Sequence, residues 1–217
     1  MKAQRDNPAL LLFKYDRYMK DMVFSEALKV KNGQFYDLSL HDDRINRTIR
    51  HFFGIDSPFA ISDITIPKEY KTGLVKCRIE YNKQILSVDF TPYSFRNISK
   101  LKIVTDNEID YTYKWADRSA LNRLVAEKED CDDILIIKNG LVTDTSFANV
   151  VFEDESGLYT PTTFLLNGTK RQSLLQQSII KEREIRLEDI SNYTTLHIIN
   201  TMVDLEDSMQ ILTEGLK

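Results

Sequence analysis

Two stretches in the N-terminal half of the chain, residues 73–81 and 84–90, alternate apolar and polar residues. That period is typical of β-strands with one buried face, and Asn82-Lys83 between them can form the turn. Further upstream, Asn32-Gly33 separates residues 24–30 from residues 34–38. An Asn-Gly pair between two such runs is a strong short-range signal for a β-hairpin. The N-terminal half therefore predicts paired strands.

A helix is predicted after the first hairpin, because residues 40–53 place Ile45, Ile49, Phe52 and Phe53 on one side. Another strand is predicted at residues 100–104. We expect a domain boundary shortly after it, which gives a small N-terminal α/β domain, 1–108, and a larger C-terminal domain, 109–217. A helix-like stretch at residues 15–22 is predicted as an arm or a dimer contact.

The C-terminal half mixes helical and strand signals. Asn139-Gly140 and Glu155-Ser156-Gly157 supply turns between short β-branched runs. The predicted helices span 117–128 and 170–181, the second of them amphipathic, and the predicted strands span 134–137, 150–152, 158–160, 185–187 and 197–202.

Composition narrows the class of protein. The 217 residues are 42% hydrophobic and 29% charged, with a net charge of -4, which is ordinary for a globular protein. No basic face suggests a nucleic acid, and no long apolar run suggests a membrane, so we expect a soluble, cytoplasmic protein. Cys77 and Cys131 are expected to be reduced thiols. Three isolated histidines give a metal site little to build on, so none is predicted.

Three short stretches carry candidate chemistry: YKWADRS around Lys114, GLVTDTSFANVVF at 140–152, and YTPTTFLLNGTKR at 159–171. Together they supply a lysine, an acid behind a glycine turn and a glycine-led anion cradle. Pyridoxal phosphate needs an amine for its aldehyde, an acid for its ring nitrogen, and N–H donors with an arginine for its phosphate. The sequence therefore predicts a pyridoxal phosphate site that takes a small-molecule substrate.

These motifs, with His41-Asp-Asp-Arg44 upstream, resemble the fold-type IV pyridoxal phosphate enzymes over about residues 24–205. That family includes branched-chain and D-amino acid aminotransferases and 4-amino-4-deoxychorismate lyase. Each motif alone is weak, but four in the same order form a specific pattern. The resemblance implies an α+β or α/β, two-domain D-amino acid aminotransferase-like fold with mixed sheets, the cofactor between the domains, and a homodimer.

The resemblance also implies catalytic roles. Lys114 falls at the Schiff-base lysine, which also moves the proton on the substrate α-carbon. Asp144 falls where the family usually has a glutamate facing the pyridine nitrogen, and it is one methylene shorter. Asn149 resembles the asparagine that fixes the loop of that acid.

The phosphate ligands follow in the same way. Arg44 resembles the phosphate-binding arginine. Thr169 and Lys170 resemble the pair whose backbone N–H groups meet the phosphate at a helix N-terminus. Thr201 and Met202 fall where the family has a second backbone cradle. The family's Gly-Ile-Thr-Arg reads Gly-Thr-Lys-Arg here, a change that backbone contacts tolerate.

Structural roles compete with these assignments. Arg44 could lie on the polar face of its helix, Asp144 could be a turn residue, and Thr201 could be an ordinary strand residue. Arg78 could reach a substrate carboxylate, although an exposed strand arginine is the simpler interpretation. Tyr36 and Tyr93 could line the pocket, although a place in the core or at the rim is the simpler interpretation.

Three functions are consistent with the sequence. The first is a lyase of folate biosynthesis that converts 4-amino-4-deoxychorismate to 4-aminobenzoate and pyruvate. It is favoured because Leu121-Asn122-Arg123 resembles the lyase sequence after its lysine. The second is transamination of a branched-chain or D-amino acid with 2-oxoglutarate. The third is a cofactor-binding relative that has lost turnover.

Overall fold

The alternating pattern of the N-terminal half forms a four-stranded antiparallel sheet in the computed structural model, which describes residues 22–216. Residues 15–21 of the predicted N-terminal arm lie outside this range. Asn32 and Gly33 have φ values of 52° and 75°, as a two-residue hairpin turn requires, so the predicted hairpin is confirmed. The sheet order is β2-β1-β3-β4, with β1 at Phe24–Lys31, β2 at Gln34–Phe35, β3 at Leu74–Tyr81 and β4 at Ile85–Pro92.

Helix α1, Leu38–Phe53, packs on this sheet and confirms the predicted helix. Ile45 and Ile49 are buried in one apolar cluster with residues of β1 and β3. The helix ends at Gly54, whose left-handed conformation lets its N–H donate to the Arg50 carbonyl. Two single-turn helices follow in the connection to β3, at Ile61–Asp63 and Lys68–Tyr70.

The rest of the chain builds an eight-stranded mixed sheet, as the resemblance implies. The pairs β5–β6 and β9–β10 are parallel and the others are antiparallel. The strands are β5 Leu101–Thr105, β6 Asp133–Lys138, β7 Leu141–Thr145, β8 Asn149–Asp154, β9 Gly157–Pro161, β10 Lys181–Arg183, β11 Thr195–Ile199 and β12 Gln210–Leu212. The helices are α2 Ser119–Val125 and α3 Thr169–Gln176, with single-turn or short 3-10 helices at Leu187–Asn192 and Thr213–Gly215.

Helix α3 is shorter than the prediction of 170–181. Ser178 adopts a left-handed conformation with φ 58°, which ends the helical path, and β10 then pairs in parallel with β9. The predicted helix at 117–128 is likewise reduced to α2, followed by separate turns. Apolar periodicity alone gave no signal for these ends.

Two strand predictions are also wrong in extent. The predicted strand 185–187 makes a single bridge, between Arg186 and Leu141, before a 3-10 helix begins. The predicted strand 197–202 ends at Ile199, because the Asn200 side chain accepts the N–H groups of Met202 and Val203 and turns the chain. Strands β7, β10 and β12 were not predicted at all.

Strand β5 belongs to the second sheet, since it pairs in parallel with β6. The boundary near residue 108 stays a prediction. Within residues 22–216, no helix is both long enough and apolar enough to cross a membrane.

The segment around Lys114 ties the two sheets together. Trp115 forms an isolated β-bridge with Phe24, and the Lys114 carbonyl accepts the Ser25 N–H at 2.8 Å. The Phe24 ring lies 4.4 Å from the Trp115 ring and 4.9 Å from the Phe52 ring, measured between centroids. The lysine backbone is therefore anchored on the N-terminal core.

Phe24→Ala should lower the free energy of unfolding by about 3–5 kcal/mol, because it leaves a cavity among aromatic rings around a fully buried position. Urea unfolding followed by tryptophan fluorescence measures the change. The control is Leu86→Ala on β4, where the side chain is 45% exposed and the expected change is within about 0.5 kcal/mol. Equal losses in the two variants would contradict the anchoring role of Phe24.

Candidate active site

One cavity of about 280 Å³ lies where the two sheets meet. That size is close to the lower end of the range for small-molecule sites, about 300–1,000 Å³. Of the residues that the sequence predicted for the site, its wall contains Arg44, Lys114, Asp144, Asn149, Thr169, Thr201 and Met202. Lys170 is the predicted residue that lies outside this wall.

Lys114 lies at the centre of a tight turn, in which the Trp115 N–H donates to the Tyr113 carbonyl at 2.9 Å. Its neighbours Tyr113 and Trp115 pack into the aromatic cluster of the N-terminal sheet, while Lys114 lines the cavity. Burial and the nearby Arg44 guanidinium lower the pKa of Lys114 to about 8, although the Glu26 carboxylate opposes the shift. A large fraction of this amine is therefore neutral, and nucleophilic, slightly above neutral pH.

Asp144 is the acid of the cavity. Its Oδ2 accepts the N–H groups of Leu165 and Leu166 at 2.8 and 3.0 Å, and its Oδ1 accepts the Asn149 amide at 2.7 Å. Burial nevertheless raises the pKa of Asp144 to about 6. A buried carboxylate that pays this desolvation cost is stabilised by a cationic partner, such as a protonated ring nitrogen.

Asn149 also binds the loop between β9 and α3, the loop that packs against Asp144. Its amide donates to the Leu166 carbonyl at 2.9 Å. A Cβ atom at Gly168 would lie 2.0 Å from the Asn149 Oδ1, a distance that real contacts do not reach. Any residue can adopt the φ of -65° that Gly168 has, so backbone conformation does not require glycine here. Glycine is required because a side chain would collide with Asn149.

Helix α3 supplies free N–H groups at one end of the cavity. Its first intrahelical bond is from the Gln172 N–H to the Gly168 carbonyl, so the preceding N–H groups have no acceptor within the helix. Thr169 lies in the cavity wall. The Lys170 side chain points away and binds Asp204 at 2.6 Å and Asp37 at 3.5 Å. The helix N-terminus can therefore bind an anion through its backbone N–H groups, whereas the Lys170 ammonium group is bound elsewhere.

The turn after β11 faces this helix N-terminus. Thr201 Oγ1 lies 3.2 Å from His41 Nε2, and Thr169 Oγ1 lies 3.4 Å from the same atom. The Met202 N–H already donates to the Asn200 Oδ1 at 2.8 Å. Thr201 and Met202 thus form a turn in the cavity wall, in which the Met202 N–H is already engaged, and the second cradle stays a prediction.

Arg44 does not lie on a solvated helix face, since it is only 7% exposed. Its Nε and Nη2 donate to the two oxygens of Glu26, both at 2.6 Å, and His41 Nδ1 lies 2.8 Å from the same carboxylate. Burial alone would raise the pKa of Glu26, but the Arg44 charge and the two hydrogen-bonding partners lower it to about 2.

Glu26 and His41 were not predicted as site residues. The signal was present, because an acid within a strand that is otherwise mostly buried is rarely tolerated without a partner. The Arg of the same His-x-x-Arg motif is that partner.

Four further cationic side chains line the cavity. Lys76 and Arg78 extend from β3, and Arg96 and Arg118 approach from the connections before and after Lys114. The Arg78 side chain lines the cavity, is 37% exposed and pairs with Glu80 at 2.7 Å, and its reach to a substrate carboxylate stays a prediction. Tyr93 also lines the cavity.

Other features do not join this site. Tyr36, at 43% exposure, is outside the wall. The described residues hold no cluster of three or more histidine, cysteine or acidic side chains suited to a metal ion.

The residues present fit pyridoxal phosphate. A buried amine, a buried carboxylate and a helix N-terminus beside Arg44 surround one cavity, which is the donor set that the cofactor's aldehyde, ring nitrogen and phosphate need. Fold and cavity together define a pyridoxal phosphate-dependent enzyme of fold type IV.

The sequence matches the amino-transferase class IV family over residues 23–205, and the chain belongs to that family. It is therefore a pyridoxal phosphate-dependent lyase or aminotransferase.

Relatives agree with this placement. An uncharacterized protein of Haemophilus influenzae is 38% identical over 182 residues, which cover 82% of this chain and 96% of that protein. The crystal structure of a putative 4-amino-4-deoxychorismate lyase from Haemophilus somnus is 35% identical, with a TM-score of 0.79 over 85% of this chain and 98% of that one. The pyridoxal phosphate-bound form of a hypothetical aminotransferase from Mycobacterium tuberculosis shares the fold at 14% identity, with a TM-score of 0.67 over 100% of this chain and 86% of that one.

Cofactor capture by the apoprotein should report the lowered pKa of Lys114. The rate of covalent binding of pyridoxal phosphate should rise with pH with a midpoint near 8, because only the neutral amine attacks the aldehyde. Stopped-flow absorbance across the pH range measures it, and Lys114→Ala, which lacks the amine, is the control. A midpoint near 10.5, the ordinary lysine value, would contradict the assigned environment.

Proposed function

We propose that this protein is a lyase that converts 4-amino-4-deoxychorismate to 4-aminobenzoate and pyruvate. The observation that carries the proposal is the cationic wall formed by Lys76, Arg78, Arg96 and Arg118. It lies in the same cavity as Lys114, and it suits a substrate that brings two carboxylates to the site.

Charge balance supports this choice. Within the cavity wall, the Glu26 carboxylate is already bound to Arg44, and Asp144 is occupied by backbone and amide donors. Lys76, Arg78, Arg96 and Arg118 therefore leave the wall with an excess of positive charge, which favours an anionic substrate even though Arg78 also pairs with Glu80. A branched-chain amino acid would instead place an apolar side chain against them, which costs free energy because charged groups lose water without gaining a partner.

The cofactor contacts are proposed from the same geometry. Lys114 would bind the cofactor aldehyde, and Asp144, held by Asn149, would partner the ring nitrogen.

The phosphate contacts are backbone N–H groups and one arginine. The N–H groups of Thr169 and Lys170, at the start of α3, would hold the phosphate, and the turn that contains Thr201 and Met202 would close the opposite side, although the Met202 N–H itself donates to Asn200. Arg44 supplies the positive charge from α1.

Bound pyridoxal phosphate supplies an electron sink for negative charge at the carbon that bears the substrate amine. The Lys114 amine would act as the base that removes the proton from that carbon. The C–O bond to the enolpyruvyl group then breaks, and the ring becomes aromatic. Lys114 returns the proton to the methylene carbon of the leaving group, which gives pyruvate.

Asp144 and the cationic wall orient these steps. The Asp144 carboxylate keeps the ring nitrogen protonated, which the electron sink requires. The cations hold the substrate carboxylates, so that the carbon bearing the amine stays beside Lys114. The 35% identical structure of a putative 4-amino-4-deoxychorismate lyase supports the same reaction.

The alternative is a class IV aminotransferase that acts on branched-chain or D-amino acids with 2-oxoglutarate. The cationic wall also suits 2-oxoglutarate, which is a dicarboxylate. In that reaction Lys114 would move a proton between two carbons and no C–O bond would break. Release of pyruvate without an oxo acid acceptor separates the two reactions.

We further propose that the protein works in the cytoplasm, in folate biosynthesis, as a homodimer. Tyr93 and the exposed Arg96, in the connection between the two sheets, line the cavity, and a second copy packed on this connection would complete the wall.

The cofactor-loaded protein should release pyruvate from enzymatically generated 4-amino-4-deoxychorismate without any oxo acid, with an equal amount of 4-aminobenzoate. A coupled lactate dehydrogenase assay and chromatography measure the two products. Lys114→Ala should lose more than about 10³-fold in rate, because the base is missing. Intact cofactor absorbance with no pyruvate, together with conversion of an amino acid to its oxo acid, would establish the aminotransferase instead.

Arg78→Met should lower kcat/KM for the dicarboxylate substrate by about 10–100-fold, since a charge-assisted hydrogen bond contributes about 1.5–3 kcal/mol. Steady-state kinetics of the loaded enzyme gives the value. Arg50→Met removes an arginine from an exposed carboxylate pair outside the cavity and should leave kcat/KM unchanged. Identical kinetics of Arg78→Met and the native enzyme would remove Arg78 from substrate binding.

A further inference from the structure

Four charged side chains form an ion cluster behind the anion end of the cavity: Lys29, Asp37, Lys170 and Asp204. The Asp204 carboxylate binds the ammonium groups of both lysines, and its distance to the Lys170 Nζ is 2.6 Å. Lys170 also lies 3.5 Å from Asp37. The cluster lies outside the cavity wall, and the proposed chemistry does not use its charges.

The cluster joins four elements that each carry part of the proposed phosphate site. Lys29 lies on β1, three residues after Glu26. Asp37 immediately precedes α1, which carries Arg44. Lys170 lies in the first turn of α3, and Asp204 follows the turn that contains Thr201. Asp204 bridges the lysines of β1 and α3, and Lys170 in turn bridges Asp204 and Asp37.

Burial makes these ion pairs important for stability, because the buried charges have little contact with water. Lys29 is 4% exposed and the Lys170 side chain is 13% exposed, so both ammonium groups depend on protein partners. Burial alone would raise the pKa of Asp204, but Lys170 and Lys29 lower it, and Asp204 in turn raises the pKa of Lys170. Two lysines and two aspartates also leave the cluster without net charge.

A second, inner layer runs parallel to the cluster. His41 Nε2 lies within 3.4 Å of both Thr169 Oγ1 and Thr201 Oγ1. These contacts are close to the upper limit for hydrogen bonds and involve neutral hydroxyls, so they are weaker than the ionic contacts of the outer layer. The ionic contacts of Asp204, on the side away from the cavity, are therefore the main contacts that fix the separation between the α3 N-terminus and the Thr201 turn.

We propose that Asp204 is a positioning residue that fixes the two halves of the phosphate cradle, the start of α3 and the turn at Thr201, relative to each other by binding Lys170 and Lys29. This inference rests on the proposed phosphate contacts of Thr169 and Thr201. It does not depend on which reaction the enzyme catalyses.

Charge and position make opposite predictions for Asp204→Asn, which gives a sharp test. The substitution removes a negative charge near the phosphate, so an effect of charge alone would tighten phosphate binding. Loss of positioning weakens it, because the N–H donors no longer converge on one site. The sign of the change therefore identifies the role of Asp204.

The experiment titrates each apoprotein with pyridoxal phosphate and with pyridoxal, which lacks the phosphate, and measures both dissociation constants by visible absorbance. Asp204→Asn should weaken pyridoxal phosphate binding by about tenfold and pyridoxal binding by less than about twofold. Asp204→Glu should restore most of the selectivity. Glu206→Gln makes the same charge change at an exposed position of the same segment and should bind both ligands as the native protein does.

Lys170→Met is the second variant and keeps the proposal testable if Asp204→Asn folds poorly. It should show the same selective loss, and the double variant should lose no more than Asp204→Asn alone, because both act through one contact. Tighter binding of pyridoxal phosphate by Asp204→Asn, unchanged binding, or equal loss of both ligands would overturn the proposal. A native protein that binds the two ligands equally would overturn the phosphate contacts themselves. Failure of the lyase assay would affect neither titration.

Discussion

The site depends most on the ion pair between the Glu26 carboxylate and the Arg44 guanidinium. The carboxylate is fully buried, and it holds the Arg44 guanidinium through two hydrogen bonds while it also contacts His41. Because an unpaired charge in this position would be costly, the packing of β1 against α1 keeps Glu26 paired with Arg44, and both of these side chains line the cavity. The arginine that we assign to the phosphate is thus fixed before any ligand binds, and His41 carries the same constraint across to Thr169 and Thr201.

Lys114 is placed by a different kind of constraint. Aromatic packing of Tyr113 and Trp115, together with the Ser25 N–H to Lys114 carbonyl bond, fixes the backbone on the N-terminal core. The side chain then extends toward the acid that the C-terminal sheet supplies. A site assembled from both sheets needs such a bridge, since neither sheet alone carries both the amine and Asp144. The aromatic cluster is therefore part of the catalytic arrangement as well as of the core.

Much of this could be predicted from the sequence, and what could not has physical causes. Motif order identified Lys114, Asp144 and the start of α3, and local turn chemistry gave the first hairpin, because both are encoded within a few residues. The end of α3 at Gln176 could not be predicted, since it depends on Ser178 leaving the helical path so that β10 can join the sheet. The pairing of Glu26 with Arg44 and the role of Asp204 join residues far apart in sequence, and periodicity carries no information about such contacts.

The aspartate at 144, where the family usually has a glutamate, shows how the shorter side chain is accommodated. The residues from Leu165 to Gly168 wrap closely around it, donating two N–H groups to the carboxylate. Gly168 then approaches Asn149 so closely that no Cβ fits. Since the same asparagine binds both the acid and the Leu166 carbonyl, the position of the acid and the start of α3 are set by one side chain. The two ends of the cofactor site are therefore coupled through Asn149, so a change at either end should be felt at the other.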